Sequence, residues 1–227
     1  MKLINLIFPK KCAACGEFTG DAVFCAVCEA KYEQMKRVPC GRCEKAHSLC
    51  RCRAQNLIGE KRVTARHLFA YSGDMAKSLI YKLKRKNITS LQKFFAEELA
   101  ALIKEELRRG EEYTVTYAPR AEKSVREYGF DQAEMLALGA AKVLDLPLDD
   151  IFERERGANV QQKTLGRYER EDNARGAFRL CECAEVAGKT LIIIDDVTTT
   201  GSTAARLCAL ALDAGAKRII FISVAKT

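Results

Sequence analysis

The sequence lacks any apolar run long enough to cross a membrane. Its longest N-terminal apolar stretch, Leu3 to Phe8, has six residues and ends at Pro9-Lys10-Lys11. That stretch is shorter than a membrane-spanning helix and shorter than the apolar region of a secretory signal peptide. The sequence therefore predicts no membrane span and a cytoplasmic protein.

Histidine and aromatic residues are scarce, with two His, no Trp and 7% aromatic residues. His67 lies in an alternating apolar segment and is interpreted as a packed side chain. His47 lies among cysteines and is interpreted as a bystander, because four thiolates already complete a metal site. Between residues 12 and 52 the aromatic residues are Phe18, Phe24 and Tyr32. So few stacking groups do not indicate sequence-specific reading of bases in that region.

Charge is unevenly distributed along the chain, whose net charge is +8. Residues 1–88 contain 18 Lys+Arg and 7 Asp+Glu, a net charge of +11, whereas residues 89–227 contain 20 and 23, a net charge of −3. A basic first part favours contact with a polyanion, and nucleic acid is the first candidate. The alternative is an ordinary solvated basic surface.

Cysteine, by contrast, is concentrated near the N-terminus. Eight of the eleven cysteines form three C-x-x-C steps and one C-x-C step: Cys12, Cys15, Cys25, Cys28, Cys40, Cys43, Cys50 and Cys52. In a cytosolic chain this spacing indicates metal thiolates, and two such steps complete a tetrahedral site of four cysteines. We predict two structural zinc ions in a double zinc ribbon over residues 1–55, which needs the metals to fold. The simplest pairing joins the first four cysteines and the last four; an interleaved pairing and redox cysteines are the alternatives.

Residues 56–227 alternate predicted strands and helices, a pattern typical of a parallel α/β sheet flanked by helices. Strands are predicted at 63–71, 115–118 and 191–194 and within 215–224, and helices from about 72, over 91–109, over 132–144 and from about 205. The polar stretch 153–178 predicts a mobile lid or a disordered loop. The remaining cysteines, Cys181, Cys183 and Cys208, are interpreted as ordinary thiols.

The most informative stretch is 191–205, LIIIDDVTTTGSTAA. Its apolar residues predict a strand buried on both faces that ends at Asp195 and Asp196. The Thr/Gly/Ser loop and the helix after it predict an anion site, because loop amides and a helix N-terminus converge there. The two carboxylates would repel a phosphate, so they should hold hydroxyls or a divalent cation. A sugar phosphate with a cis-diol meets both requirements.

These residues resemble the phosphoribosyl-pyrophosphate (PRPP) signature of the type I phosphoribosyltransferases. The resemblance implies that Asp195 and Asp196 act at the ribose hydroxyls with Mg²⁺, as the catalytic pair. It also implies a 5′-phosphate loop formed by Thr198, Thr199, Thr200, Gly201, Ser202 and Thr203. Arg120 and Lys123 are predicted, from position alone, to bind the pyrophosphate. The alternative interpretation is an ordinary strand-to-helix turn rich in threonine.

The order of motifs along the whole chain resembles the ComF family of competence proteins. The matching pieces are Leu6-Ile-Phe-Pro9, Tyr71-Ser-Gly-Asp74, Gly129-Phe-Asp-Gln-Ala133, Gln162-x-x-Leu165, Arg170-x-x-Asn173, Gly176-Ala-Phe178 and the PRPP loop. This resemblance implies an N-terminal zinc ribbon, a phosphoribosyltransferase domain and a role in DNA uptake. It also implies partners among the competence proteins, such as an uptake helicase.

The chain departs from the family pattern at two places. Tyr128 and Asp131 stand where the family usually has Arg and Asn. Tyr117-Ala-Pro119 stands where the family usually has Pro-Val-Pro. Loss of an arginine near a pyrophosphate should weaken its binding. Arg120, Lys123 and Arg126 are candidates to compensate.

Three functional hypotheses follow. The first is a ComF-type protein that binds PRPP with Mg²⁺ and acts in natural transformation. The second is a module whose ribbon and basic helix bind single-stranded DNA, with PRPP as an effector or a vestige. The third is a nucleobase phosphoribosyltransferase, although no base-recognition segment is expected after the last strand.

Overall fold

The computed structural model describes residues 10–52, 57, 59–155 and 178–227. The Leu6–Pro9 motif, the predicted boundary between residues 55 and 56, and most of the polar stretch 153–178 lie outside these residues. The motif residues 162–176 lie outside them as well. Among the described residues, the helices are all too short or too polar to cross a bilayer.

Four parallel strands form the central sheet, in the spatial order β1-β6-β5-β2. Their bounds are β1 Val63–Ala70, β2 Tyr113–Tyr117, β5 Thr190–Thr198 and β6 Arg218–Lys226. Successive side chains of β5 alternate between the two faces of the sheet, with Leu191 and Ile193 in one apolar layer and Ile192 and Ile194 in the other. Burial on both faces explains why this run is uninterrupted by polar residues.

The described residues form six α-helices around the sheet: α1 Ala26–Lys36, α2 Gly73–Arg85, α3 Thr89–Lys104, α4 Glu122–Tyr128, α5 Gln132–Leu144 and α6 Ser202–Asp213. Apolar residues of α2, α3 and α5 share one core with one face of the sheet, and α6 packs on the other face. The stripe of α2 is Ala76, Leu79, Ile80 and Leu83, at helical spacing. A separate antiparallel pair, β3 Phe152–Arg154 and β4 Phe178–Leu180, lies beside the sheet.

The predicted fold class, a parallel sheet flanked by helices, is confirmed. Helix α5 has the predicted bounds, Gln132–Leu144. The predicted end of β5 at the acidic pair was wrong, because β6 continues to pair with β5 as far as Thr198. Helix α3 spans Thr89–Lys104 rather than 91–109. The sequence analysis missed α1, α4 and the β3–β4 pair.

Two cysteine knuckles in the N-terminal region have the same turn. The residue after each C-x-x-C step, Gly16 or Glu44, has a positive φ of 85° or 58°. Its N–H donates to the carbonyl of the first cysteine, Cys12 or Cys40, at 2.9 and 2.8 Å. This left-handed turn is costly for Glu44, which has a Cβ. The repetition indicates that the two knuckles are built alike.

Aromatic packing joins the first knuckle's helix to the α/β part of the chain. Phe24 and Tyr32 lie with ring centroids 5.0 and 5.1 Å from that of Phe94 on α3. The Tyr32 hydroxyl donates to Glu98 at 3.0 Å. Near the second knuckle, Arg66 of β1 donates to the carbonyl of Ser48 at 2.7 Å. The cysteine region therefore buries aromatic and apolar surface against α3 and shares a core with the sheet.

Candidate functional site

Asp195 and Asp196 lie close to the carboxyl end of β5, beside an open depression of about 270 Å³. Asp196 is buried; its Oδ2 accepts from Gln132 Nε2 at 2.5 Å, and its Oδ1 lies 3.3 Å from Lys84 Nζ. Asp195 is half-buried, and its Oδ1 accepts from the Asp196 N–H at 2.7 Å. Helices α2 and α5 thus orient Asp196, while Asp195 faces both the depression and the adjoining loop cavity.

Burial and the neighbouring Asp196 carboxylate raise the pKa of Asp195 to about 8. Lys84 and the Asp196 N–H act in the opposite direction, and Asp131 adds to the rise. A divalent cation would reverse this balance, because it favours the ionised carboxylate. Two adjacent carboxylates at the end of a parallel strand therefore offer hard oxygen ligands of the kind that Mg²⁺ prefers.

The predicted phosphate loop follows β5 and leads into α6. Gly201 has φ of 83° and precedes the first helical residue, Ser202. The Thr200 and Ser202 hydroxyl oxygens are 2.9 Å apart, and the Ser202 N–H donates to Thr200 Oγ1 at 3.4 Å. A small cavity of about 50 Å³ lies among Asp195 and residues 197–204. Loop amides and a twelve-residue helix with a dipole aimed at this cavity suit an anion.

Thr198 is placed differently from the other predicted loop residues. It is buried, and its hydroxyl oxygen lies 2.9 Å from that of Ser223 on β6. Ser223 donates to the Ala225 carbonyl at 3.0 Å, so it accepts from Thr198 and from His67 Nδ1 at 2.8 Å. Burial lowers the pKa of His67 to about 3, which keeps the ring neutral. The Thr198 side chain therefore supports the loop from within the sheet.

Arg120, the residue predicted to bind pyrophosphate, lines the depression. Its guanidinium donates to the Lys84 carbonyl at 3.0 Å and also to the Gln132 side-chain oxygen. Its backbone N–H donates to Asp131 Oδ2 at 2.6 Å. Lys123 is exposed on α4, and the residue of that helix that lines the depression is Ser124.

Tyr128 and Asp131, which form the first departure from the family pattern, have defined structural roles. The Tyr128 ring lies between two guanidinium groups, with Arg85 at 5.3 Å and Arg120 at 4.7 Å from its centroid. Asp131 is the N-cap of α5, and its Oδ1 accepts from the N–H groups of the next turn at 2.9 and 3.4 Å. An Asp can serve as N-cap as well as an Asn. The substitutions therefore keep the helix start and anchor Arg120.

Sequence reasoning missed three residues of this site: Lys84, Gln132 and Arg154. Arg154 lines the depression from β3; its Nε donates to the Pro119 carbonyl at 2.9 Å, and its guanidinium lies 4.4 Å from the Phe178 ring centroid. The basic run 82–86 and the motif 129–133 contain Lys84 and Gln132, but spacing alone does not select them. Arg154 lies in the stretch interpreted as a lid, and nothing local signals its position.

The eight N-terminal cysteines form two groups of four, and the consecutive pairing holds. One group is Cys12, Cys15, Cys25 and Cys28, and the other is Cys40, Cys43, Cys50 and Cys52. The sulfur atoms within each group lie within 4.8 Å of one another. The 3.8 and 3.6 Å separations of Cys15–Cys25 and Cys43–Cys50 fit a tetrahedron with zinc–sulfur bonds, whose edges measure about 3.8 Å. Each group can hold a structural metal ion.

Comparison with known proteins agrees with this geometry. Residues 131–227, which include α5, the acidic pair and the loop, match the phosphoribosyl transferase domain family. The chain is 27% identical to competence protein ComFC of Streptococcus pneumoniae (strain ATCC BAA-255 / R6) over 91% of this chain and 89% of that protein. It is 34% identical to DNA utilization protein YhgH of Escherichia coli (strain K12) over 40% of this chain and 39% of that protein.

A solved hypoxanthine phosphoribosyltransferase from Staphylococcus aureus is more distant. It is 13% identical, with 60% of this chain and 63% of that chain covered at a TM-score of 0.39.

One chain therefore combines a match to the phosphoribosyl transferase domain family with two four-cysteine groups. It is similar to competence protein ComFC over nearly its whole length. The family resemblance predicted from the sequence is confirmed.

Proposed function

We propose that this protein binds PRPP together with Mg²⁺ at the carboxyl end of β5. The observation that carries the proposal is the convergence of the acidic pair and the basic residues Lys84 and Arg120 around one depression, which shares Asp195 and Thr203 with the loop cavity at the start of α6. The loop amides would bind the 5′-phosphate, the carboxylates the ribose hydroxyls and the cation, and Arg120 the pyrophosphate. Thr199, Thr200, Ser202 and Thr203 supply the loop's hydroxyl groups.

The chemistry that this arrangement favours is displacement of pyrophosphate from the ribose C1 by a nucleophile. The C1–oxygen bond to pyrophosphate would break as the new bond to the nucleophile forms, and positive charge would develop on the ring. Asp195 and Asp196 would then stabilise charge and orient the ribose rather than form a covalent bond. A bound Mg²⁺ would neutralise the departing pyrophosphate.

The biological setting we propose is DNA uptake in natural transformation, in the cytoplasm. Support comes from the relatives, which are named for competence and for DNA utilization. None of the eleven cysteines, all of which lie in the described residues, is in a disulfide, which suits a reducing compartment. We further propose that the metal in both four-cysteine groups is zinc, and that an uptake helicase or another competence protein is a partner.

The test of the PRPP site is calorimetric titration of PRPP, with and without Mg²⁺. The wild type should show saturable binding that requires Mg²⁺. The double variant Asp195→Asn, Asp196→Asn should lose it, because both carboxylates that hold the cation are gone. A matched double variant, Asp74→Asn with Asp213→Asn, removes two exposed carboxylates elsewhere and should bind like the wild type. Absence of binding by the wild type would refute the proposal.

A second candidate function is single-stranded DNA binding. It is favoured by an alternating series of aromatic rings and guanidinium groups beside the depression: Tyr81, Arg85, Tyr128 and Arg120, with ring-to-guanidinium distances of 5.3, 5.3 and 4.7 Å. Tyr81 is 54% exposed. Exposed rings stack with bases of any sequence, and the basic side chains attract the phosphate backbone.

Fluorescence anisotropy with a labelled single strand tests this surface. The double variant Tyr81→Leu, Tyr128→Leu should weaken binding at least tenfold, since base stacking contributes about 1–3 kcal/mol per base. Phe18→Leu changes an exposed ring on the cysteine region and should have no effect if the series of rings on α2 and α4 is the binding surface. If Phe18→Leu weakens DNA binding as much as the double variant does, the binding surface lies on the cysteine knuckles instead.

A further inference from the structure

A lysine of the α/β part of the chain contacts the inside of the first cysteine knuckle. Lys82 Nζ on α2 donates to the carbonyls of Ala13 and Ala14, at 2.8 and 2.6 Å. Both carbonyls lie between Cys12 and Cys15, the two ligand positions of that knuckle. The conformation of the knuckle and the position of α2 are therefore tied through one ammonium group.

The same helix reaches the candidate PRPP site two residues further on. Lys84 Nζ lies 3.3 Å from Asp196 Oδ1, and the Lys84 carbonyl accepts from the Arg120 guanidinium at 3.0 Å. Residues two apart on a helix project to different sides, because each residue turns the helix by about 100°. Lys82 can therefore hold the knuckle while Lys84 contacts the acidic pair, and α2 lies between the two sites.

The helix is rigidly placed between them. Ala76, Leu79 and Leu83 are buried with at most a trace of exposure, so α2 cannot slide without repacking its apolar stripe. A shift of the knuckle carbonyls would therefore move α2 as a unit, and Lys84 and its contact with Arg120 would move with it. Such a chain of contacts gives both sites a shared element, which thermodynamic coupling requires.

We propose that Lys82 is a positioning residue that couples metal binding in the first four-cysteine group to the PRPP site. Four thiolate–metal bonds fix the knuckle and its two carbonyls, these carbonyls hold Lys82, and α2 then presents Lys84 and the Arg120 anchor to the ligand. The inference rests on the proposed PRPP binding. The alternative is that Lys82 only braces the fold, in which case its loss lowers stability without changing the coupling.

The first measurement is PRPP affinity in the presence of Mg²⁺, on protein loaded with metal. Lys82→Met should weaken binding about tenfold, within the range of measured coupling effects. Lys82→Arg retains donors for the carbonyls and should restore most of the affinity. Lys77→Met, an exposed lysine on the same helix, is the matched control and should bind like the wild type. Metal content and melting temperature are recorded for each variant to show that it is folded.

The second measurement uses reciprocity, which a merely structural role would not reproduce. If metal and PRPP are coupled, PRPP must raise the affinity for the metal by the same factor. Competition for the metal with a chromogenic chelator is therefore brought to equilibrium with and without saturating PRPP and Mg²⁺. The ligand should protect one of the two metals in the wild type and in Lys77→Met, and neither in Lys82→Met. Lys82→Gln, whose side chain is shorter and uncharged, should weaken protection in the same way and keeps the test valid if Lys82→Met does not fold.

Two results are decisive against the inference. Equal affinity and equal protection in wild type and Lys82→Met, with wild-type PRPP binding intact, would overturn the coupling and leave the proposed function standing. Failure of the wild type to bind PRPP at all would overturn the proposed function and the coupling together.

Discussion

At the scale of single residues, Asp195 has the most distinctive electrostatic environment of the candidate site. Burial and Asp196 raise its pKa to about 8, so the unliganded site carries a proton there at neutral pH. The folded state therefore binds more protons than the unfolded state between the ordinary pKa of an Asp and about 8. Over that window the contribution of Asp195 to stability falls as pH rises. Cation binding must expel this proton.

The resulting prediction concerns the pH dependence of ligand binding. Affinity for PRPP with Mg²⁺ should rise between pH 6 and pH 8, by at most tenfold per pH unit for one proton released, and level off above the pKa of Asp195. Titrations in buffers of different ionisation enthalpy count the protons released. Asp195→Asn should release fewer protons, and titration of PRPP's own phosphates is measured as the baseline. An unchanged proton count in Asp195→Asn would contradict the assignment.

Gln132 links two groups that the site needs in fixed positions. It donates to Asp196 and accepts from Arg120 while being almost fully buried. Gln132→Leu should weaken PRPP binding about tenfold or more, since a hydrogen bond to a charged group contributes about 1.5–3 kcal/mol. Gln92→Leu is a matched control, because Gln92 is equally buried but lies on α3. If both variants lose the same affinity, the effect is one of general stability.

At the scale of elements, the contact between α3 and α5 depends on one glycine. A Cβ at Gly139 would lie 2.6 Å from the Cβ of Ala96, closer than two carbon atoms pack. Gly139→Ala should therefore push the helices apart and lower the free energy of unfolding by about 1–3 kcal/mol, despite the better helix propensity of Ala. Urea denaturation of Gly139→Ala and of Leu138→Ala, at an exposed neighbouring position, measures the difference. A more stable Gly139→Ala would show that the helices adjust freely.

At the scale of the whole molecule, the two four-cysteine groups predict two bound metal ions per chain. Elemental analysis should give about two zinc ions, and eight thiols should be protected from alkylation until a chelator is added. Chelation should lower the melting temperature of the whole chain, because Phe24 and Tyr32 share a core with α3. If the chain still unfolds in one transition at the same melting temperature after all metal is removed, the knuckles are stable without metal.

Local patterns in the sequence were sufficient to predict the elements whose defining residues lie close together in the chain. The apolar run of β5, the acidic pair, the Thr/Gly loop and the start of α6 follow one another within 15 residues, and their order fixes their geometry. The C-x-x-C steps are local in the same way. Helix α5 was predicted with its observed bounds, because its apolar residues recur at helical spacing within the helix itself.

Tertiary structure alone decided how far β5 extends, what surrounds Asp196 and which basic residues reach the site. The end of β5 depends on pairing with β6, in which Thr198 lies opposite the distant Lys226. Lys84, Gln132 and Arg154 come from three separate elements, and only packing brings them to one depression. The sequence by itself determined the class of fold, the loop and the two cysteine groups, because short-range periodicity and ligand spacing encode them. The tertiary structure decided the environment of the carboxylates and the link from Lys82 to the first knuckle, because both join residues distant in the chain.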